Sequence, residues 1–167
     1  MKLCFGQHLP KTNKMNNAEI ISKIERYCAY QDRCTQDVLS KLKTLQVEDD
    51  VAQEILTDLK ADGFINDERF VQSFIRGKAN VKHWGKIKIR LHLFQKGIDK
   101  NLIDKYIDTI NEESYQDNLL TAIDKWQRSN GKVNSEKLPK LYRHLLSKGY
   151  GSADVMTAIK KSTQSDQ

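Results

Sequence analysis

GFINDERFVQSFIRGKANVKHWGKIKIRLHLFQKGI, Gly63–Ile98, holds two helical apolar patterns between two glycine stops. Phe70, Val71, Phe74 and Ile75 recur at the spacing of one helix face. Asn66 or Asp67 caps that helix, and Glu68 complements its dipole. A second helix is predicted over Trp84–Lys96. Ile87, Leu91, Phe94 and Ile98 line one face, and Ile89 and Leu93 line a nearly opposite one. A helix apolar on two sides is expected to be sandwiched between neighbours. Two polar edges remain, Lys88 with His92 and Lys86 with Arg90. Charge is polarised as sharply. No Asp or Glu occurs from Arg69 through Ile98, a span with eight Lys and Arg, whereas residues 48–68 carry eight acids against Lys60 alone. Such polarity points the basic segment at a polyanion or an acidic partner.

Outward from this stretch the chain reads as helix throughout. Ile20, Ile21, Ile24, Tyr27 and Cys28 give an apolar face to Asn17–Tyr30. Thr35 is placed to cap a helix to Leu45 that turns Val38, Leu39 and Leu42 inward. Glu48–Asp62 follows with Val51, Ile55, Leu56 and Leu59 inward, and Gly63 ends it. Downstream, Asp99 starts a helix with Leu102, Ile103, Tyr106, Ile107 and Ile110 inward. Leu119, Leu120, Ile123 and Trp126 belong to Tyr115–Asn130. Leu138, Leu141, Tyr142, Leu145 and Leu146 belong to Glu136–Lys148, with Pro139 in its first turn. Val155, Met156 and Ile159 close the pattern after Ser152.

Three of these segments align. Val47-Glu48-Asp49, Ile98-Asp99-Lys100 and Tyr150-Gly151-Ser152 each follow one helix and open a shorter one, 51 and 52 residues apart. On that register Leu42, Leu93 and Leu145 coincide, while Asp154 mismatches Val51 and Leu102. A period near 50 made of three helices implies a tandem array whose units support one another. The expected fold is therefore all-α: an elongated array of three tandem three-helix repeats. Its divisions are a disordered basic tail at 1–16, repeats at 17–65, 66–110 and 111–161, and a polar tail at 162–167.

The chain has 167 residues, net charge +6, 38% hydrophobic residues and only two prolines. That composition favours helix over a turn-rich β fold. Cys4, Cys28 and Cys34 lack metal-ligand spacing, as do His8, His83, His92 and His144. No phosphate loop or nucleophile motif occurs, no secretory signal is evident, and no run reaches the roughly 20 apolar residues of a membrane span. The chain is expected to be a non-enzyme without cofactor or metal, monomeric, cytoplasmic and reduced.

At GFINDERF and WGKIKIRLHLFQKGI the sequence resembles the RecX family, regulators of the bacterial recombinase RecA. Gly63-Phe64, Asp67-Glu68-Arg69-Phe70, Gly85-Lys86-Ile87, Arg90-Leu91 and Lys96-Gly97-Ile98 carry the resemblance. Leu141-Tyr142-Arg143 and Lys148-Gly149-Tyr150 extend it, so that it covers most of residues 18–161. The first repeat departs, because Tyr30, Gln31 and Cys34 stand where the family tends to have arginines and a serine; Arg33 remains. The resemblance implies a protein that binds the recombinase–single-stranded DNA filament. It would restrain ATP hydrolysis and strand exchange, and so modulate recombination, DNA repair and the SOS response. A stand-alone helical DNA-binding module is the alternative. The expected contact set is Lys86, Lys88, Arg90, Lys96, Lys140, Arg143 and Lys148, flanked by Arg69 and Arg76, each acting electrostatically.

Overall fold

The computed structural model describes residues 16–164. Of the expected tails, 1–15 and 165–167 lie outside that range, whereas 162–164 continue the last helix. Asn16 corrects the first boundary: its side-chain oxygen accepts from the Glu19 amide at 2.8 Å and caps the first helix. Among the described residues all regular structure is helical: α1 Asn17–Tyr30, α2 Thr35–Thr44, α3 Asp49–Ala61, α4 Asp67–Arg76, a π-helical turn Gly77–Val81, α5 Lys86–Gln95, α6 Lys100–Ile107, α7 Glu112–Asn130, α8 Leu138–Ser147 and α9 Ser152–Gln164. They form an array of three three-helix units.

Each unit has its own core. Ile24, Val38, Leu42, Leu56 and Leu59 centre the first, Phe70, Val71, Ile89, Leu93 and Ile107 the second, and Leu119, Ile123, Leu141, Leu145 and Val155 the third. The aligned leucines 42, 93 and 145 are all fully buried. Their carbonyls accept equivalent hydrogen bonds, from Val47 at 3.2 Å, Ile98 at 3.2 Å and Tyr150 at 3.3 Å. This six-to-one closure needs a left-handed residue just before the donor. Gly97 and Gly149 supply it at φ 72° and 89°; in the first unit Gln46 does so at φ 58°. A side chain there is strained, so Gln46→Gly should raise stability by up to about 1 kcal/mol in urea denaturation. No gain would mean that Gln46 is held by contacts worth the strain.

The units are joined by polar clamps. Asp67 corrects the expected cap of α2. Its carboxylate accepts from both the Thr35 amide and hydroxyl, each at 3.0 Å, so the cap comes from the next unit and not from Thr35. Asn66 caps α4 itself, accepting from Arg69 N–H at 2.8 Å. Glu68 accepts from Lys105 at 2.8 Å and from the Tyr106 hydroxyl, tying α4 to α6. Phe70 is 4% exposed and packs on Phe74 with ring centroids 5.6 Å apart. Phe70→Ala should cost about 3–5 kcal/mol in thermal or urea melts; an unshifted melt would remove this ring from the set that holds the second core. Cys28 and Cys34 are buried, and burial pushes the Cys34 thiol up to about 11, which makes it an inert core thiol.

The expectation that α5 is sandwiched is wrong. Ile89 and Leu93 are fully buried, but Ile87, Leu91 and Phe94 are 60%, 53% and 66% exposed. The second flank is left partly open, because α6 covers only part of it. Leu120, Leu146 and Met156, also expected inward, are more than a third exposed.

Candidate nucleic-acid interface

The joint between the second and third units runs backbone against backbone. The first amides of a helix lack partners within it and must find them elsewhere. At α5 those of Gly85 and Ile87 donate to the carbonyls of Lys148 at 2.8 Å and Gly149 at 3.1 Å. The C-terminus of α8 therefore caps the N-terminus of α5, with dipole ends of opposite sign meeting. Only glycine permits the approach: a Cβ on Gly85 would strike the Gly149 carbonyl, and one on Gly149 would strike the Lys88 backbone. The Tyr150 hydroxyl donates to the His83 carbonyl at 3.2 Å and closes the joint from the core side.

This joint gathers lysines from four places. Lys88 of α5 donates to the Ser147 carbonyl at 3.0 Å, and Lys148, just past α8, donates to the Lys82 carbonyl at 3.3 Å. Lys125 of α7 lies 2.7 Å from His83 Nε2. His83 Nδ1 lies 3.0 Å from Asn118 Oδ1, so the network assigns the proton to Nδ1 and leaves Nε2 to accept from the Lys125 ammonium. His83 holds a left-handed φ of 49°. Lys78 and Lys88 lie over the Trp84 ring at 4.9 and 4.7 Å from its centroid, and His92 packs against the same ring at 4.7 Å.

Electrostatically the cluster is uncompensated. Burial pushes the Lys148 ammonium below the usual lysine range, and the charges of Lys88, Lys125 and Lys82 push it further. His144 is held down by burial, then by Lys148 and Lys88; His92 by burial, then by Lys88, Lys78 and Lys96. Among the described residues, the ion pairs formed by lysine and arginine at the unit joints and on α6 leave Lys82, Lys88, Lys125 and Lys148 without a carboxylate. A set of ammonium groups held together against their own repulsion, on a partly exposed surface, is suited to neutralising phosphate.

The structure divides the residues expected to bind. Lys88 and Lys148 meet in the cluster. Lys140 shares their face, one and two helical turns before His144 and Lys148. Arg143 is exposed and donates from Nε to the Pro139 carbonyl of its own helix at 3.3 Å. Lys86 and Arg90 lie apart, beside the exposed flank of α5. Lys86 sits 5.3 Å from the Tyr115 ring centroid, and Arg90 lies 3.2 Å from Asp104 without hydrogen-bond alignment. Lys96 is tied to Asp37 at 2.6 Å. Arg69 is a clamp: it pairs with Asp32 at 2.7 Å and donates to the carbonyls of Gly63 at 3.1 Å and Phe64 at 3.3 Å. The Ser73 hydroxyl and that guanidinium hold the Asp32 carboxyl below its usual range. Arg76 is exposed beside Asn80, Tyr106 and Asn111, away from the lysine cluster. Sequence reading missed Lys125 altogether, and it counted Lys78 and Lys82 in the basic segment without placing them in the contact set. Lys125 belongs to α7, outside the acid-free stretch, and only the α5–α8 joint brings it in.

A family model described as RecX, second three-helix domain, matches residues 66–107, from the cap of α4 to the end of α6. The regulatory protein RecX of Clostridium botulinum (strain Alaska E43 / Type E3) is 30% identical over 130 residues, 76% of this chain and 60% of that protein. That of Finegoldia magna is 29% identical over 158 residues, 91% of this chain and 74% of that protein. A crystal structure of regulatory protein RecX superposes with a TM-score of 0.72 at 26% identity, covering 86% of this chain and 71% of the other. The RecX structure from Lactobacillus salivarius gives 0.68 at 28% identity, covering 86% and 97%. The chain thus spans less than two thirds of the length of the Clostridium relative.

Proposed function

We propose that this chain, which belongs to the RecX family, is a non-catalytic regulator that binds the filament of RecA recombinase on single-stranded DNA and restrains its ATP hydrolysis and strand exchange. It would act as a monomer in the cytoplasm, where that filament forms. The observation that carries the reading is the convergence of Lys82, Lys88, Lys125 and Lys148 at the α5–α8 joint with no carboxylate among them, where burial and then the other three charges push the Lys148 ammonium down. Phosphate is the ligand that such a cluster fits, because each contact releases condensed counterions. Lys140 and Arg143 extend it along α8, and Lys78 with Trp84 toward the π-helical turn that precedes α5.

The chemistry asked of these residues is binding alone. His83 supports the basic surface through Lys125 and Asn118 and His92 by packing on Trp84, and among the described residues no group of three or more His, Cys, Asp or Glu is placed to hold a metal. No described helix is long and apolar enough to cross a membrane. The test is co-sedimentation with RecA filaments on single-stranded DNA at physiological salt, set against naked single-stranded DNA, with ATP hydrolysis followed in parallel. Preferential co-sedimentation and slowed hydrolysis are expected. Equal binding to naked DNA with hydrolysis untouched would instead favour a stand-alone DNA-binding module.

A further inference from the structure

The exposed flank of α5 is a second surface of different character. Ile87, Leu91 and Phe94 are spaced four and three residues apart, one continuous apolar stripe about 10 Å long. Each is more than half exposed. Single exposed apolar residues are ordinary, whereas a contiguous stripe of three large ones is not. The stripe forms one wall of a groove of about 580 Å³, with Lys100, Ile103 and Asp104 of α6 on the other side and Lys86 and Arg90 at the rim. That volume lies in the range of ligand pockets, roughly 300–1,000 Å³. The groove is open along its length, however, which suits a row of side chains from another helix better than an enclosed small molecule.

Charge selects the occupant. Lys86, Arg90 and Lys100 surround the stripe, and the facing carboxylate, Asp104, is already held by Lys100 at 2.7 Å and by Arg90 at 3.2 Å. Its pKa is depressed by the Lys100 hydrogen bond and by both cations, so it stays ionised and neutralised in place. The rim thus carries net positive charge around an apolar floor. A second copy docked on the same face would bring the three cations against their duplicates. The chain's own residues 1–15 carry Lys2, Lys11 and Lys14 and no acid, a like-charged match. A single-stranded nucleic acid suits the cations but would find one aromatic ring, Phe94, among aliphatic side chains.

We propose that the Ile87–Leu91–Phe94 face docks an acidic amphipathic helix of a protein partner, with its apolar residues in the groove and its carboxylates on Lys86, Arg90 and Lys100. The helix α5 then serves two ligands at once, phosphate along the Lys88 edge and protein along this flank. For the source of the docked helix, the recombinase, the proposal rests on the filament reading above.

The test uses the full chain and its Ile87→Ser/Leu91→Ser/Phe94→Ser variant, which should melt like the parent because the three side chains are exposed. Two synthetic helical peptides serve as probes, identical in their leucines at i, i+3, i+4 and i+7, one flanked by Glu and one by Lys. The Glu peptide is expected to bind the parent at least ~10-fold more tightly than the Lys peptide and to lose that affinity on the variant. Equal binding of the two peptides, no binding of either, or parent dimers dissolved by the serines would each overturn the proposal. So would a matching loss of affinity for naked single-stranded DNA, which would give the face to nucleic acid. In a second arm with RecA filaments, the variant should keep its affinity for naked DNA and lose ~10-fold or more for filaments; unchanged filament affinity overturns the assignment. The peptide arm contains no recombinase, so failure of the filament reading shows only in the second arm.

Discussion

A chain carrying Gly149→Ala is expected to unfold about 3 kcal/mol more easily than the parent, whereas Gly63→Ala should cost only about 1 kcal/mol. Both glycines adopt a left-handed backbone, at φ 89° and 74°. A Cβ therefore carries the same conformational penalty at each, about 1–2 kcal/mol at most. They differ in what the Cβ meets. At Gly63 nothing lies within 4 Å. At Gly149 the added carbon falls on the backbone of Lys88, in another unit, and backbone cannot swing aside as the end of a side chain does. Relief requires the α5–α8 joint to open. That breaks the Gly85–Lys148 and Ile87–Gly149 hydrogen bonds and leaves the first amides of α5 unpaired. Opening also separates Lys88 from Lys148, so Gly149→Ala should weaken DNA binding while Gly63→Ala leaves it nearly unchanged. Urea denaturation and single-strand binding measured on both variants check the pair; equal destabilisation would show that the joint tolerates a methyl group.

What the sequence could reveal follows from this geometry. The helices and the three-unit period were legible because apolar spacing and glycine stops are local signals, and Leu42, Leu93 and Leu145 are buried where the alignment puts them. The meaning of Asp67-Glu68-Arg69-Phe70 was legible only in part. Phe70 reads as core from its periodicity, but Asp67 caps a helix 32 residues earlier and Arg69 reaches Asp32, and neither partner is marked in the local pattern. Charge counting put Arg69 in the contact set without seeing that Asp32, a carboxylate distant in sequence, is its partner. The partner of Lys96 was hidden in the same way, since Asp37 lies 59 residues upstream. The two-sided apolar pattern of α5 was real, but hydrophobicity alone does not say whether the second face meets this chain or another.

Replacing Lys88 and Lys148 together by Gln should abolish most single-strand and filament affinity, by ~10-fold or more at physiological salt, without weakening the fold. The two ammonium groups sit beside each other and beside Lys82 and Lys125, and burial and those charges push the Lys148 ammonium below its ordinary value. A lysine whose folded pKa lies below its unfolded value, ordinarily about 10.4, carries a charge that opposes folding. The opposition is fully present below the folded value and is relieved as pH rises through it. Neutral side chains therefore remove repulsion at pH 7, and Gln can still donate toward the Ser147 and Lys82 carbonyls. The double variant should melt no lower than the parent. If both lysines contact phosphate, the slope of log affinity against log salt on single strands should fall by about 0.7 for each, roughly 1.4 together. The control is Lys86→Gln/Arg90→Gln, on the opposite edge of α5, which should leave that slope unchanged. A double Gln variant at Lys88 and Lys148 that binds single strands with parental affinity and slope would remove the α5–α8 cluster from the interface and leave it a solvated basic face.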